Sequence, residues 1–270
     1  MRFHPRLISF LLIASLLVHP AEVLATHRVS CRSMIFSDRT KVVRLYGKNV
    51  HERVLPASTT KVMTALLVME KLPLDKYITV SHRATAPQPT KLYLKAGEKY
   101  KVRDLLYAIL MKSANDASVV LAEAVAGSEW QFVQMMNKKA KEIDAKHTKF
   151  ANSNGLPTKK VSQYTTAYDM YLIFREAMKY PFFRGAIKEK YRAIYSSAGR
   201  KHSLKSHNKI LFFDWKKKVY GKTGYTRAAG PCFVGTIQKG ESMMIVAAFG
   251  CPNRWQDIKH VVSYYGGIPL

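Results

Sequence analysis

The 270-residue chain has little cysteine, few acidic side chains and few long apolar runs, and each shortage excludes something. Three cysteines, Cys31, Cys232 and Cys251, are too few for a disulfide scaffold, and an odd count leaves at least one thiol free. Neither they nor the nine histidines fall at metal-ligand spacing, so no zinc or other metal is expected, and no organic cofactor is implied. Asp and Glu number 18 against 44 Lys and Arg, giving a net charge of +26. Such an excess points to an anionic partner. The lysines are dispersed, as in Lys138-Lys139, Lys159-Lys160 and Lys216-Lys217-Lys218, and are not interleaved with aromatics as in a nucleic-acid module. Nucleic acid is therefore not expected; weak contact with anionic polymers or lipid headgroups fits better, and a merely solvated basic surface fits best.

The one long apolar run lies at the start. Arg2 and Arg6 precede an uninterrupted, mostly apolar stretch from Leu7 to Val18, and Val23-Leu24-Ala25 offers small residues for a peptidase. This is the layout of an export signal, predicted to be cleaved after Ala25 and too short to span a bilayer comfortably. Residues 26–270 are then expected to act outside the cytoplasm. With 47% hydrophobic and 11% aromatic residues, that length suits one domain with room for two lobes.

What remains is read from periodicity. Two strands are predicted around Ser33-Met34-Ile35-Phe36 and Val42 to Tyr46, joined by a polar turn. Helical spacing covers Val62 to Glu70, Val102 to Met111, Asp116 to Ala126, Trp130 to Ala145, Thr166 to Met178 and Trp255 to Tyr265. The first of these is apolar on nearly all sides, so it should be buried. A second hairpin, Phe233 to Gln238 and Ser242 to Phe249, is expected to turn at Lys239-Gly240. Pairing Gln238 with Glu241 would set Cys232 opposite Ala247 and leave Cys251 about 13 Å further on, too far for a bridge to Cys232. Strands at both ends with helices between predict an antiparallel sheet built from the two ends of the chain, an α+β fold.

Chemistry enters at Pro56-Ala57-Ser58-Thr59-Thr60-Lys61. On a helix opening here, Ser58 and Lys61 share a face, a nucleophile beside a base. Lysine serves as a base only if burial or a second cation lowers its pKa. The same residues also fit a plain helix start with Ser58 as its cap and Lys61 solvated, and Ser206-His207-Asn208-Lys209 repeats the spacing. Ser113-Ala114-Asn115 likewise reads as a simple interhelical connection, with Asn115 or Asp116 capping the next helix.

Taken together, Ser58-x-x-Lys61, Ser113-x-Asn115 and Lys222-Thr223-Gly224, in that order, resemble the signature of the penicillin-recognising serine transferases. The text from Pro56 to Met63, Ser113 to Glu123, Phe150 to Leu156, Tyr164 to Asp169 and Lys222 to Gly230 is similar to the low-molecular-mass penicillin-binding proteins that act as D-alanyl-D-alanine carboxypeptidases. The resemblance implies a β-lactamase/transpeptidase-like fold: an antiparallel sheet flanked by helices, a mainly helical second lobe and the active site between them. It implies that Ser58 attacks the carbonyl between the last two D-alanines of a peptidoglycan stem, and that β-lactams acylate it. Lys61 would take its proton, Ser113 would relay between Lys61 and Lys222, and Lys222 would be the second cation. Asn115 would bind the peptide amide, and Thr223 and Arg254 the terminal carboxylate. Gly224 would let substrate pair along the strand, and the N–H groups of Ser58 and Tyr225 would form the oxyanion hole. Many such relatives carry a further β-rich domain and a C-terminal membrane anchor; neither is expected in 26–270.

Three alternatives share parts of this pattern. A class A β-lactamase would place Glu-x-x-Leu-Asn before the third motif, and none of Glu123, Glu129, Glu142, Glu176 or Glu189 starts one. A non-catalytic wall-binding protein would not need the complete motif set. A DD-endopeptidase uses the same acyl-enzyme and differs only in the room for its leaving group.

Overall fold

The computed structural model describes residues 28–41, 43–87, 90–158 and 161–270. The predicted export signal, residues 1–25, and the pair Lys159-Lys160 lie outside the described residues. The expected N-terminal hairpin is present as β1 (Ser33–Asp38) and β2 (Val43–Lys48), and a 3-10 turn, Ala57–Thr60, runs into α1 (Lys61–Lys71). Then come β3 (Tyr77–Thr79), β4 (Lys99–Lys101), α2 (Val102–Tyr107), α3 (Asn115–Ala126), α4 (Glu129–Glu142), α5 (Ala167–Ala177) and α6 (Pro181–Ala186). A small hairpin, β5 (Tyr191–Tyr195) and β6 (Lys201–Lys205), precedes β7 (Tyr220–Thr226), β8 (Gly230–Lys239), β9 (Ser242–Phe249) and α7 (Arg254–Tyr264).

The main sheet has the order β2-β1-β9-β8-β7, antiparallel throughout, so the two ends of the chain meet at the β1–β9 pair. Period-two alternation sends successive side chains into two cores. Ile35, Val234, Ile245, Ala247 and Phe249 face the helical core around α1, α3 and α5. Met34, Phe36, Phe233, Val246 and Ala248 face α7 through Ile258, Val261 and Val262. Being buried on both faces explains why these strands are almost continuously apolar. Helix α1 is buried from Lys61 to Val68, as its all-round apolarity predicted.

Two expectations about the hairpin need correction. Lys239 pairs with Ser242 and Gln238 with Met243, so the turn is Gly240-Glu241, with Gly240 at φ +56°. A two-residue turn matches strand twist best when its first residue takes positive φ, which glycine does at little cost. Ala247 consequently pairs with Val234 and not with Cys232, which remains a buried free thiol. Cys251 is instead bonded to Cys31. The register that sets Ser33 against Phe249, continued by two residues, brings these cysteines face to face.

Candidate active site

Ser58 sits in the 3-10 turn before α1, and Lys61 is the first residue of the helix proper. No side chain caps either segment, which removes the reading of Ser58 as a helix cap. Ala57 is held at φ +46°, a left-handed conformation that costs a non-glycine residue about 1–2 kcal/mol and turns the following serine toward the cleft. Lys61 is fully buried, and its Nζ donates to Ser58 Oγ (3.1 Å), Asn115 Oδ1 (2.7 Å) and the Asn154 carbonyl (2.7 Å). Of these three partners only the hydroxyl can reverse the bond. When Lys61 is neutral, its two N–H groups stay on the two carbonyl oxygens and its lone pair faces Ser58 Oγ.

The second wall comes from a different local event. After α2 the backbone widens into a π turn, Ala108–Lys112, closed by Ser113 at φ +61° and by a bond from Ala114 N–H to the Ala108 carbonyl. Such an insertion is a recurrent feature of functional sites, because it lifts one residue out of the helical row. Here it presents Ser113, whose Oγ accepts from Lys222 Nζ at 3.0 Å. The capping assignment for Asn115 and Asp116 is overturned: Ala114 is the N-cap of α3 and caps with no side chain. Asn115 accepts from Lys61, and buried Asp116 accepts from the N–H groups of Leu92, Leu94 and Ala117, tying the preceding loop to the site.

Electrostatics follow from burial. Lys61 is pushed well below its ordinary value, first by desolvation and then by the charge of Lys222, against a smaller opposing pull from Asp116. Lys222, also fully buried, is lowered to about 7 by desolvation and by Arg254. His207, beside Lys222, Lys112 and Lys61, is lowered to about 4 by burial and those charges, so it is neutral at pH 7.

β7 is the edge strand of the main sheet and supplies the third wall. A methyl group added at Gly224 would lie 3.1 Å from the Ser58 nitrogen and 3.2 Å from that of Thr59, so the missing side chain first of all lets the strand approach the nucleophile turn. Ser58, Ser113, Thr223, Gly224, Tyr225 and Arg254 line one cleft of about 220 Å³. Arg254 is partly buried: it donates to the carbonyls of Gly224 (3.3 Å) and Cys232 (2.7 Å) and stacks on Trp255 at 4.0 Å. Ser113 accepts from Lys222, while Lys61 donates to Ser58, Asn115 and Asn154, so of the two contacts expected of Ser113 the hydrogen bonds among the described residues include the one to Lys222 and not one to Lys61.

Among known families, that of the D-alanyl-D-alanine carboxypeptidases, peptidase family S11, matches residues 20–253. The chain belongs to this family. A D-alanyl-D-alanine carboxypeptidase of Bacillus subtilis, DacF, is 36% identical over 233 residues, covering 83% of this chain and 58% of its own length. A D-alanyl-D-alanine carboxypeptidase of Mycobacterium tuberculosis is 30% identical over 246 residues, 89% of this chain and 84% of that one. The crystal structure of a D-alanyl-D-alanine carboxypeptidase from Mycobacterium tuberculosis superimposes with a TM-score of 0.84 at 28% identity, covering 93% and 96% of the two chains. The chain therefore spans just over half the length of some family members and most of others.

Within this family member, some site residues were not legible as such in the sequence. The turn at Asn152-Ser153-Asn154-Gly155 is a working part: Asn152 Oδ1 accepts from the N–H groups of Asn154 and Gly155, which aims the Asn154 carbonyl at Lys61. Ser153 is gripped by Glu129 Oε1 through its N–H (3.0 Å) and hydroxyl (2.6 Å), and its carbonyl accepts from Thr64. The only sequence signal was the density of Asn and Gly, which reads equally as an ordinary turn. Thr90, which also lines the cleft, had none, and His207 and Lys209 stood out only within the repeated Ser206-x-x-Lys209 spacing. The described residues hold one cluster of potential metal ligands, Cys31, Cys251 and Asp257, and its two sulfurs are bonded to each other.

Proposed function

We propose that this protein is a serine D-alanyl-D-alanine carboxypeptidase that trims the terminal D-alanine from peptidoglycan stem peptides. The observation that carries this reading is the buried Lys61 amine, held by two carbonyl acceptors so that its free valence faces Ser58 Oγ. In the reaction, Ser58 Oγ bonds to the penultimate D-alanyl carbonyl while Lys61 takes its proton. The N–H groups of Ser58 and Tyr225 receive the oxyanion, each worth about 3 kcal/mol in the transition state. Lys222, Thr223 and Arg254 draw the terminal carboxylate into the cleft, with Arg254 offering its planar fork. As the C–N bond breaks, the proton that Lys61 took passes by way of the Ser113 hydroxyl, bonded to Lys222, to the departing amine, which restores both groups. Asn115 serves twice, fixing Lys61 through Oδ1 and offering its amide to the substrate peptide. The substrate backbone adds to the open edge of β7. Water then cleaves the ester.

Membership of a family whose substrates belong to the cell wall, together with the apolar N-terminal run, supports work outside the cytoplasm after removal of residues 1–25. No helix among the described residues is long and apolar enough to cross a membrane. The test is the intact mass of residues 26–270 after mixing with benzylpenicillin, followed by an assay of D-alanine release from a stem pentapeptide. A lasting adduct on Ser58 and released D-alanine are expected. Rapid drug turnover without an adduct would favour a β-lactamase, and neither adduct nor D-alanine would overturn the assignment.

A further inference from the structure

The hairpin of β5 and β6 has two unlike faces. Ile194 and Leu204 are buried against the body of the protein, while Tyr191, Ala193, Tyr195, Lys201, Ser203 and Lys205 alternate with the inward side chains and are exposed. Register makes the outer face regular. Tyr191 lies across from Lys205, Ala193 from Ser203 and Tyr195 from Lys201, so each end of the ladder sets a tyrosine beside a lysine. The rings stand open, with 61% of Tyr191 and 50% of Tyr195 exposed. Lysines that are dispersed along the chain are thus gathered on one surface and interleaved with aromatic rings.

Phe212 extends this surface. Its exposed ring stands edge-on to Tyr191 at 5.6 Å, and the amines of Lys190 and Lys205 lie 5.9 Å and 5.3 Å from its centre. The open groove of about 690 Å³ that begins at Phe212 and Lys205 adds Lys112, Lys209 and Phe213, and no acidic residue lines it among the described residues. Glu189 and Glu98, which touch the hairpin, are each paired with an arginine, Arg192 and Arg200. Lysines alone would read as a solvated basic surface or as a site for any polyanion. Exposed rings among them ask for more than charge. A phosphate polymer in water offers the rings no apolar phase, whereas the interface of a bilayer takes up aromatic rings at the depth where lysines meet the headgroup phosphates.

We infer that this face, from Tyr195 and Lys201 through Tyr191 and Lys205 to Phe212, docks the protein on a membrane surface rich in anionic lipid. The contact is peripheral and reversible: a few rings enter the interface and the lysines meet anionic headgroups, with no segment crossing the bilayer. Its position gives it a use. β6 continues through Ser206 into His207 and Lys209, which line the catalytic cleft, so attachment at the hairpin holds that cleft close to the lipid and directs it to substrate near the membrane. The docking stands independently of which reaction the cleft performs.

The test is flotation of residues 26–270 with vesicles of equal parts phosphatidylglycerol and phosphatidylcholine, against vesicles of phosphatidylcholine alone. Binding to the anionic vesicles that weakens as salt rises is expected, with none to the neutral ones. Lys201→Glu combined with Lys205→Glu should weaken it by about tenfold or more. Tyr191→Ser combined with Phe212→Ser should weaken it by about tenfold at unchanged charge. Lys138→Glu combined with Lys141→Glu, the same change of charge at exposed positions of α4, should leave it nearly as it was. Far-UV circular dichroism confirms that each variant is folded. Equal losses in the α4 and β6 variants would make the binding a property of net charge and overturn the face. Full binding by the aromatic variant would remove the rings from the contact, and with them the choice of lipid. No binding to anionic vesicles at low salt, or a preference for soluble polyphosphate over them, would overturn the proposal.

Discussion

Lys222 Nζ donates a 3.0 Å hydrogen bond to Ser113 Oγ, joining the edge strand of the sheet to a π turn in the helical lobe, across 109 positions of chain. Two buried lysines therefore lie close together, and the charge of Lys222 lowers the preference of Lys61 for its own. The charge of Lys222 is one of the two causes that lower Lys61. In Lys222→Met that contribution is lost, and the acid limb of the pH profile for β-lactam acylation should move to higher pH. An unmoved or lowered limb would mean that Lys61 is not the base whose titration the limb reports.

The same pair shapes stability. Lys222 titrates near 7 when folded and near 10.5 when exposed, so between those values the unfolded chain binds the extra proton. Stability must then rise with pH across that window, and Lys61, lowered for the same reason, adds with the same sign. Urea unfolding at a series of pH values should show the rise, and Lys222→Met should flatten it.

Lys61→Ala removes the proton acceptor while leaving Ser58 in its turn. A positioned base is worth roughly 10²–10⁴-fold, so acylation by benzylpenicillin should slow by about 10³-fold. Lys61→Arg should not restore it, since guanidinium keeps its proton. Acylation rates by stopped-flow or mass spectrometry decide the matter, with far-UV circular dichroism to confirm folding.

Gly155 stands at φ +84°, and a methyl group there would lie 1.8 Å from the Ala57 carbonyl oxygen. Gly155→Ala should therefore cost about 2–3 kcal/mol and displace the turn that carries Ser58. The expected result is a lower urea midpoint together with slower acylation. Native stability in this variant would show that the contact relaxes freely.

The Cys31–Cys251 bond closes a loop of 220 positions at the junction of the two chain ends. Replacing both cysteines by alanine should cost about 2–5 kcal/mol, read from chemical unfolding, with the free Cys232 thiol unaffected in its buried place. An unchanged midpoint would show that the β1–β9 ladder alone holds the ends together.

How much of this was open to reading from the chain divides along physical lines. Local order is written locally. The apolar run after Lys61 predicted a buried helix, and short apolar runs bounded by polar turns predicted the strands of both hairpins. The boundaries of the β8–β9 turn were missed because one glycine next to a lysine permits two registers, and only the sheet selects between them. β5 and β6 were unreadable, since Tyr191–Tyr195 and Lys201–Lys205 expose most of their side chains and carry no apolar alternation.

The site was legible in its motifs and illegible in its contacts. Ser58, Lys61, Ser113, Asn115, Lys222, Thr223 and Gly224 stand in three short patterns, and a helix start puts Ser58 beside Lys61 without help from the rest of the molecule. Nothing local could show that Asn154 and Glu129 take part, because their partners lie 93 and 24 positions away. Nor could it choose between Ser58-x-x-Lys61 and Ser206-x-x-Lys209. The first is enclosed by β7, the π turn and the Asn154 loop, which desolvate its lysine; in the second Lys209 remains exposed. The sequence by itself determined which residues were able to react. Burial, which lowers a lysine's hold on its proton, is a property of the assembled tertiary structure, and it decided which of them can.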